Sequence, residues 1–365
     1  MNCLINDNVQ LLDLPDELIL MIMNTVKPNV LLLCSIIAIG NNRLEQLALD
    51  KCHSIDFTID YSQSSYESLM TRFYSHIMYR IINNIQSLTL NIRQIPDIIS
   101  CPNLKQLTVT IYHNIVNYSE CIVSLVQRLS NVEHLTLLAI DITTTRLTHF
   151  VTEFDLENDI VSYMPHLCRF NFHIRSILEN ASPVEIGTIR RSVMKCEQDV
   201  ICTVDYFNNN YGQCQLYSIP FLGNRPDFIS TRFPLFDMNN MFSMVTLLLL
   251  FDDVKPFENI FFARIAHALP NLKTLEVFNK LEQQEKETIT TNNLEFGHLS
   301  ALILLDIHMD YAEQFLCRSR LPCLTELAIQ EEGIDKRSSS DSAQVIIEIS
   351  SESIMEKLRE DDENK

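Results

Sequence analysis

Asp306, His308 and Asp310 alternate along a stretch that reads as a strand, so their side chains share one face. Two carboxylates around an imidazole are ligands a cation accepts. The same alternation is the ordinary pattern of a solvated strand, and no metal is expected there. Eleven cysteines include no CxxC pair. Cys34, Cys101, Cys168 and Cys323 sit in apolar runs, where a thiol behaves as a small hydrophobe. They read as reduced thiols of an intracellular protein. No histidine belongs to an HExxH motif, and no two of the six glycines lie closer than eleven residues. That spacing excludes a GxxxxGK phosphate loop, a GxGxxG dinucleotide turn and a GxSxG elbow. No catalytic residue and no cofactor is expected, and the chain reads as a non-enzyme.

The charge balance points to proteins as partners. The chain has 365 residues and a formal net charge of −19. Binding to nucleic acid needs clustered Lys and Arg to displace counterions, so DNA and RNA are not expected as partners. A basic protein or peptide suits this field better. Apolar residues make up 46% of the chain, enough for a substantial core. The longest early apolar run, residues 30–39, is too short to cross a bilayer. The first ten residues lack the basic start of a secretory signal. The expected location is cytoplasmic, nuclear or both, with no membrane contact.

Elements that would position a binding surface come from a recurring frame. In LPNLKTLEV, residues 269–277, apolar residues stand at positions one, four, seven and nine, with Pro at two. This reads as a helix end, a tight turn and a short buried strand. The frame recurs at Ile82, Cys101, Leu129, Met164, Phe242, Leu269, Leu299 and Leu321. Position two is Pro or Ser in all but the first. One gap, Met164 to Phe242, spans 78 residues (242 − 164) and is expected to hide one or two decayed units around residues 201–206 and 215–221. Amphipathic stretches precede several frames: Ile122, Leu125, Val126 and Leu129 step as a helix face, as do Phe257, Phe261, Ile265 and Leu269. The expected fold class is α/β, a repeat solenoid whose strands form a parallel concave sheet. An ordinary α/β domain with an open parallel sheet is the alternative.

Positions six, eight and ten of each frame would face away from the core. Early strands offer Ser87, Thr89, Gln106, Thr108, Thr110, His134 and Thr136. Later ones offer Thr274, Glu276, Phe278, Asp306, His308, Glu326 and Gln330, with Asp310 beyond. Glu276, Asp306, His308, Asp310 and Glu326 are therefore candidate substrate-binding residues, an acidic patch suited to a basic segment.

Before the frames lie three short, strongly apolar helical stretches. Leu14-Pro15-Asp16-Glu17-Leu18, followed by Ile22, Val26, Leu31, Leu32 and Ser35, resembles an F-box. In that family a three-helix module binds a Skp-type adaptor, which joins it to a cullin ubiquitin ligase. The resemblance carries adaptor contact onto Leu14, Pro15, Leu18, Ile22, Val26 and Leu31. Many members have a basic pair and a Trp in the third helix. This chain has Gly40-Asn41-Asn42-Arg43-Leu44 there, and no Trp. The later frames resemble the irregular, RNI-like leucine-rich repeats that often follow an F-box. Their usual closing Asn is replaced by Tyr112, Ile140, Arg175, Asp253, Lys280, Asp310 and Glu332, so no Asn ladder is expected. The implied organisation is F-box at 10–55, a linker or cap at 56–81, repeats at 82–330 and an acidic, disordered tail at 331–365. The implied role is a substrate-recognition adaptor of a Skp-cullin-F-box (SCF) ligase. A leucine-rich-repeat scaffold without a ligase role is the alternative, with the first helices as a cap.

Overall fold

A computed structural model describes residues 11–25, 29–50, 54–56, 68, 71–91, 101–111, 114–115, 118–143, 149–181, 199–208, 210–234, 241–284, 294–330 and 345–348. The fold is mixed α/β with mostly parallel strand pairing. It divides into two compact units, residues 1–137 with 154–170, and residues 138–153 with 171–365.

The first unit opens with α1 (Asp16–Thr25), α2 (Asn29–Ile39) and α3 (Asn42–Asp50). The Pro15 carbonyl accepts from Leu18 N and Ile19 N, both at 3.1 Å, which closes the first turn of α1. Asp16 and Glu17 complement the positive end of its dipole. Gly40, at φ +72°, ends α2 in the left-handed region. Asn41 Oδ1 then accepts from Leu44 N at 3.1 Å and caps α3. Ile19, Met23, Val30, Leu33, Ile36, Leu44 and Leu49 are buried. A helix as apolar as α2 must be covered on more than one side. Here β1 (Ser54–Asp56) packs on it, as does the π-helical first part of α4, Phe73–Met78, which runs on into Tyr79–Ile81. Residues 73–81, expected as linker or cap, thus serve as a lining with Phe73, Ile77, Met78 and Ile81 buried.

Parallel strands follow: β1 pairs with β2 (Ser87–Asn91), and β2 with β3 (Gln106–Thr110). After β4 (Asn114–Ile115) comes α5, Ser119–Val123 continuing into Ser124–Val126. Next are β5 (His134–Thr143), α6 (Glu153–Asp159) and β6 (Arg169–Glu179); residues 138–143 and 171–179 of the two strands belong to the second unit. The repeat frame has a backbone meaning. Position four donates to the carbonyl of position one: Leu104 to Cys101 and Val132 to Leu129 at 3.2 Å, Leu167 to Met164 at 3.1 Å. The carbonyl of position five accepts two N–H groups from the next repeat. Gln86 O takes Lys105 N and Gln106 N, Lys105 O takes Glu133 N and His134 N, and Glu133 O takes Cys168 N and Arg169 N. An asparagine ladder does exist, at position three. Asn103 Nδ2 donates to Asn83 O at 2.7 Å, and Asn131 Nδ2 to Pro102 O at 3.0 Å. The expectation of turns without such a ladder is corrected: these asparagine rungs sit before the strand.

The second unit holds β7 (Val200–Tyr206), β8 (Tyr211–Ser218), β9 (Leu247–Phe251), α7 (Asn259–Ala268) and β10 (Thr274–Phe278). Beyond them lie β11 (Leu294–Glu295), β12 (Ala301–Leu305), α8 (Met309–Glu313 running into Gln314–Arg318), β13 (Ser319–Arg320), β14 (Glu326–Gln330) and β15 (Val345–Glu348). The order β9, β10, β12, β14 is parallel throughout, and β15 closes it antiparallel. β11 pairs with β13 in parallel. Leu248, Leu250, Leu275 and Val277 pack on one side of this sheet, against Phe261, Phe262 and Ile265 of α7. The remainder of residues 331–365 lies outside the described residues.

Two sequence expectations are overturned here. First, residues 201–206 and 215–221 are not decayed solenoid units. β7 and β8 form an antiparallel hairpin, Thr203 opposite Gln215, and β8 pairs antiparallel with β6. The sheet is therefore not parallel throughout. In the long gap the same carbonyl clasp is made by residues 224–231, where Asn224 O accepts Thr246 N and Leu247 N and Ile229 bridges to Leu250. Second, the repeat placed at Leu299 begins at Phe296. Lys273 O accepts Ser300 N and Ala301 N, and Leu275 lies opposite Leu302. The Leu299–Leu302 spacing fits either frame, and the carbonyl clasp decides.

Candidate interaction surfaces

The first surface lies on α1 and the turn before it. Leu18, Met21 and Ile22 stand at i, i+3 and i+4 and share one helix face. They are 40–59% exposed, as are Leu11 and Leu12 in the preceding 3-10 turn, Leu11–Asp13. Pro15 is exposed and Leu14 half-buried. The opposite face, Ile19 and Met23, is sealed in the module. Of the residues expected to contact an adaptor, Leu14, Pro15, Leu18 and Ile22 are therefore brought together on one side. Val26 and the Leu31 side chain lie outside the described residues. Leu11, Leu12 and Met21 belong to the same patch but not to the short motif; their apolar character beside the prolyl turn was the available signal. Contiguous exposed apolar groups of this kind mark contact surfaces.

The second surface is the face of the β9–β10–β12–β14 sheet that points away from α7. Register places Leu247, Thr274, Ala301 and Glu326 in one row, and Leu249, Glu276, Ile303 and Ala328 in the next. The third row holds Phe251, Phe278 and Leu305. The rings of Phe251 and Phe278 lie 5.1 Å apart, with Phe207 at 5.1 Å and Phe228 at 5.8 Å from Phe251. Arg175 sits 4.0 Å above the Phe228 ring and is held at 2.6 Å by Asp141. Leu247, Leu249, Phe251, Phe278, Ile303 and Leu305 are all half-buried. This face is apolar with an aromatic edge, where an acidic patch was expected.

The corrected register leaves Glu276 and Glu326 on this face and moves Asp306, His308 and Asp310 beyond the end of β12. Glu276 is on the face; its carboxylate stands 4.0 Å from Arg225, and burial pushes its pKa up. Asp306 lies beyond the end of β12 at φ +49° and pairs with Lys280. His308 caps α8, its Nδ1 accepting from Asp310 N and lying 3.1 Å from Asp310 Oδ2. Asp310 in turn accepts from Gln283 N at 3.0 Å. Glu326 is exposed at the start of β14. No protein-family model matches the chain, and no curated protein matches it in sequence. The early strand faces follow expectation, with Ser87 opposite Gln106 and Thr89 opposite Thr108, half-buried or exposed.

Among the described residues no group of three or more His, Cys, Asp or Glu side chains forms a metal site. Cys202 and Cys214 are buried with their sulfurs 3.5 Å apart. Their mutual contact and burial hold the Cys214 thiol far above its ordinary range, and burial pushes Cys101 up to about 11. A nucleophilic cysteine needs the opposite shift. Among the described residues no helix is long and apolar enough to cross a membrane.

Proposed function

We propose that this protein is a substrate-recognition adaptor of a Skp-cullin-F-box ubiquitin ligase: α1 and its preceding turn dock on a Skp-type adaptor, and the repeats hold a protein substrate. The observation that supports it most is the outward face of α1. Leu11, Leu12, Leu18, Met21 and Ile22 remain exposed while Ile19 and Met23 fill the module core. Had this face been sealed against the following strands, an end cap would describe it better. Covering such side chains is worth about 25 cal/mol per Å² of apolar surface removed from water.

The apolar sheet face around Phe251, Phe278 and Ile303 supports the second half of the reading. It suits a substrate segment with apolar anchors, and the net charge of −19 favours basic residues beside them. Ubiquitin transfer belongs to other subunits; this chain raises the local concentration of substrate. The test is binding of the full-length chain to a purified Skp-type adaptor, with Leu14→Ala/Pro15→Ala as the control. Binding by the wild type and loss in the variant is the expected result. No binding by either would favour a repeat scaffold without a ligase role.

A further inference from the structure

Leu11 and Leu12 are two of the five exposed apolar side chains of the patch, yet little burial of their own holds them. Among Leu11–Asp13 no residue is buried, and Leu14 N donates to Leu11 O at 3.3 Å. What fixes them is a side chain about thirty residues later. Arg43 Nη1 donates to Leu12 O at 2.7 Å, and Nη2 donates to Leu14 O at 2.8 Å. Nε and Nη2 both donate to Asp16 Oδ1, at 2.9 and 2.7 Å. All three guanidinium nitrogens are used, and a planar fork of five N–H groups is the side chain that can do this. The fork is aimed by local sequence: Gly40 stops α2 and Asn41 caps α3, which sets Arg43 in the first turn of α3.

We infer that Arg43 is the positioning residue of the docking surface: it fastens residues 11–14 to α3 so that Leu11, Leu12 and Leu14 are presented in a fixed array with Leu18 and Ile22. The inference rests on the adaptor reading of that surface. Its physical content is pre-organisation. A segment ordered before binding does not lose its backbone freedom on binding. The three donors of a lysine radiate from one nitrogen, so they do not span acceptors set around a planar fork.

The test is a double-mutant cycle in the full-length chain against a purified Skp-type adaptor, with amide hydrogen exchange as a second readout. Arg43→Ala is expected to weaken binding about tenfold in the wild-type background, and less than about twofold once Leu11→Ala and Leu12→Ala have removed what it presents. Arg43→Lys should weaken binding too, although the charge is kept. Equal losses in both backgrounds would overturn the inference, because Arg43 would then act on the adaptor directly. Exchange at residues 11–19 should speed up in Arg43→Ala while α2, residues 29–39 of the same module, keeps its protection, which separates release of the turn from unfolding of the module. Unchanged exchange at 11–19 would overturn the positioning role whatever the adaptor does. A wild-type chain that ignores the adaptor refutes the docking reading alone, since the exchange result is independent of it.

Discussion

The side-chain amide of Asn279 donates to the carbonyl of Lys255 at 2.8 Å, from a position with no exposure to solvent. Its oxygen accepts from Leu281 N at 2.8 Å. One repeat earlier the same place is taken by Asp252, also fully buried, whose carboxylate accepts from Val254 N, Lys255 N and Thr231 N. These side chains tie together the loops that leave β9 and β10. Asn279→Ala would remove a fully buried amide and leave the Lys255 carbonyl and the Leu281 N–H without these bonds, at a cost of about 1–3 kcal/mol. The urea midpoint should fall with an unchanged slope. Asn271→Ala, which removes an exposed rung to Ser243 O, should cost less than about 1 kcal/mol. Equal losses at the two positions would mean that burial does not set the difference.

How far the sequence could reach depended on what decides each element. The opening of α1 is local: Pro15 starts the turn, Asp16 and Glu17 face its dipole, and all three are legible in order. The frame at Leu269 is legible for the same reason, since position four bonds to position one within four residues. The repeat at residues 296–305 was not, because apolar residues at 299, 302 and 305 satisfy a second frame. A carbonyl of the preceding repeat, Lys273 O, selects between them. The acidic patch dissolved with that shift, as Asp306 moved from the strand to the turn after it. The hairpin of β7 and β8 was hidden for another reason. Thr203, Asp205, Gln213 and Gln215 are polar residues alternating along the two strands, yet all are buried. Gln213 and Gln215 donate to Phe228 O, and Arg232 pairs with Asp205 at 3.1 Å. Nothing in a strand's own alternation announces a partner that polar.

His173 gives the second unit an acid-side sensitivity. It is buried between β6 and β8, with Nε2 3.2 Å from Gln215 Oε1 and its ring 5.0 Å from Phe221. Burial holds its pKa below the ordinary 6.5, outweighing the Gln215 contact and the fields of Asp141 and Asp227. The unfolded chain therefore takes up a proton below about pH 6.5 that the folded chain refuses. This contribution to stability is present above that pH and declines as pH falls below it. His173→Gln keeps a polar group for Gln215 but cannot protonate. Its urea midpoint should fall less than that of the wild type between about pH 7 and pH 5.5. Parallel losses in the two proteins would place the acid sensitivity elsewhere.

Two glycines should respond to alanine for different reasons. At Gly212 an added Cβ would stand 2.7 Å from Ala181 Cβ and 2.9 Å from the Phe150 ring. Ala181 has no flexible end to withdraw, so the strand must shift, at a cost of about 1–3 kcal/mol. At Gly40 the space is open, and only φ +72° opposes a side chain. That strain is worth about 1–2 kcal/mol. Gly40→Ala should also loosen the aim of Arg43 and speed amide exchange at residues 11–19, which Gly212→Ala should leave alone. Exchange at 11–19 that ignores Gly40→Ala would mean that the α2–α3 turn does not set the guanidinium.

Leu18 and Ile22 test the outward face of α1 without disturbing the core. They are 41% and 40% exposed, so Leu18→Asp/Ile22→Asp buries no charge in the free chain. The thermal midpoint should stay within a few degrees of wild type. In a docked complex the same carboxylates would be desolvated against an apolar partner surface, which costs several kcal/mol unless each finds a counter-charge. Adaptor binding should therefore be lost while folding survives. Ile19→Asp provides the contrast, since Ile19 has no exposure and faces the module core. That variant should lose the module and the binding together. A double Asp variant that still binds the adaptor at wild-type strength would show that α1 is not the docking face, whatever its exposure.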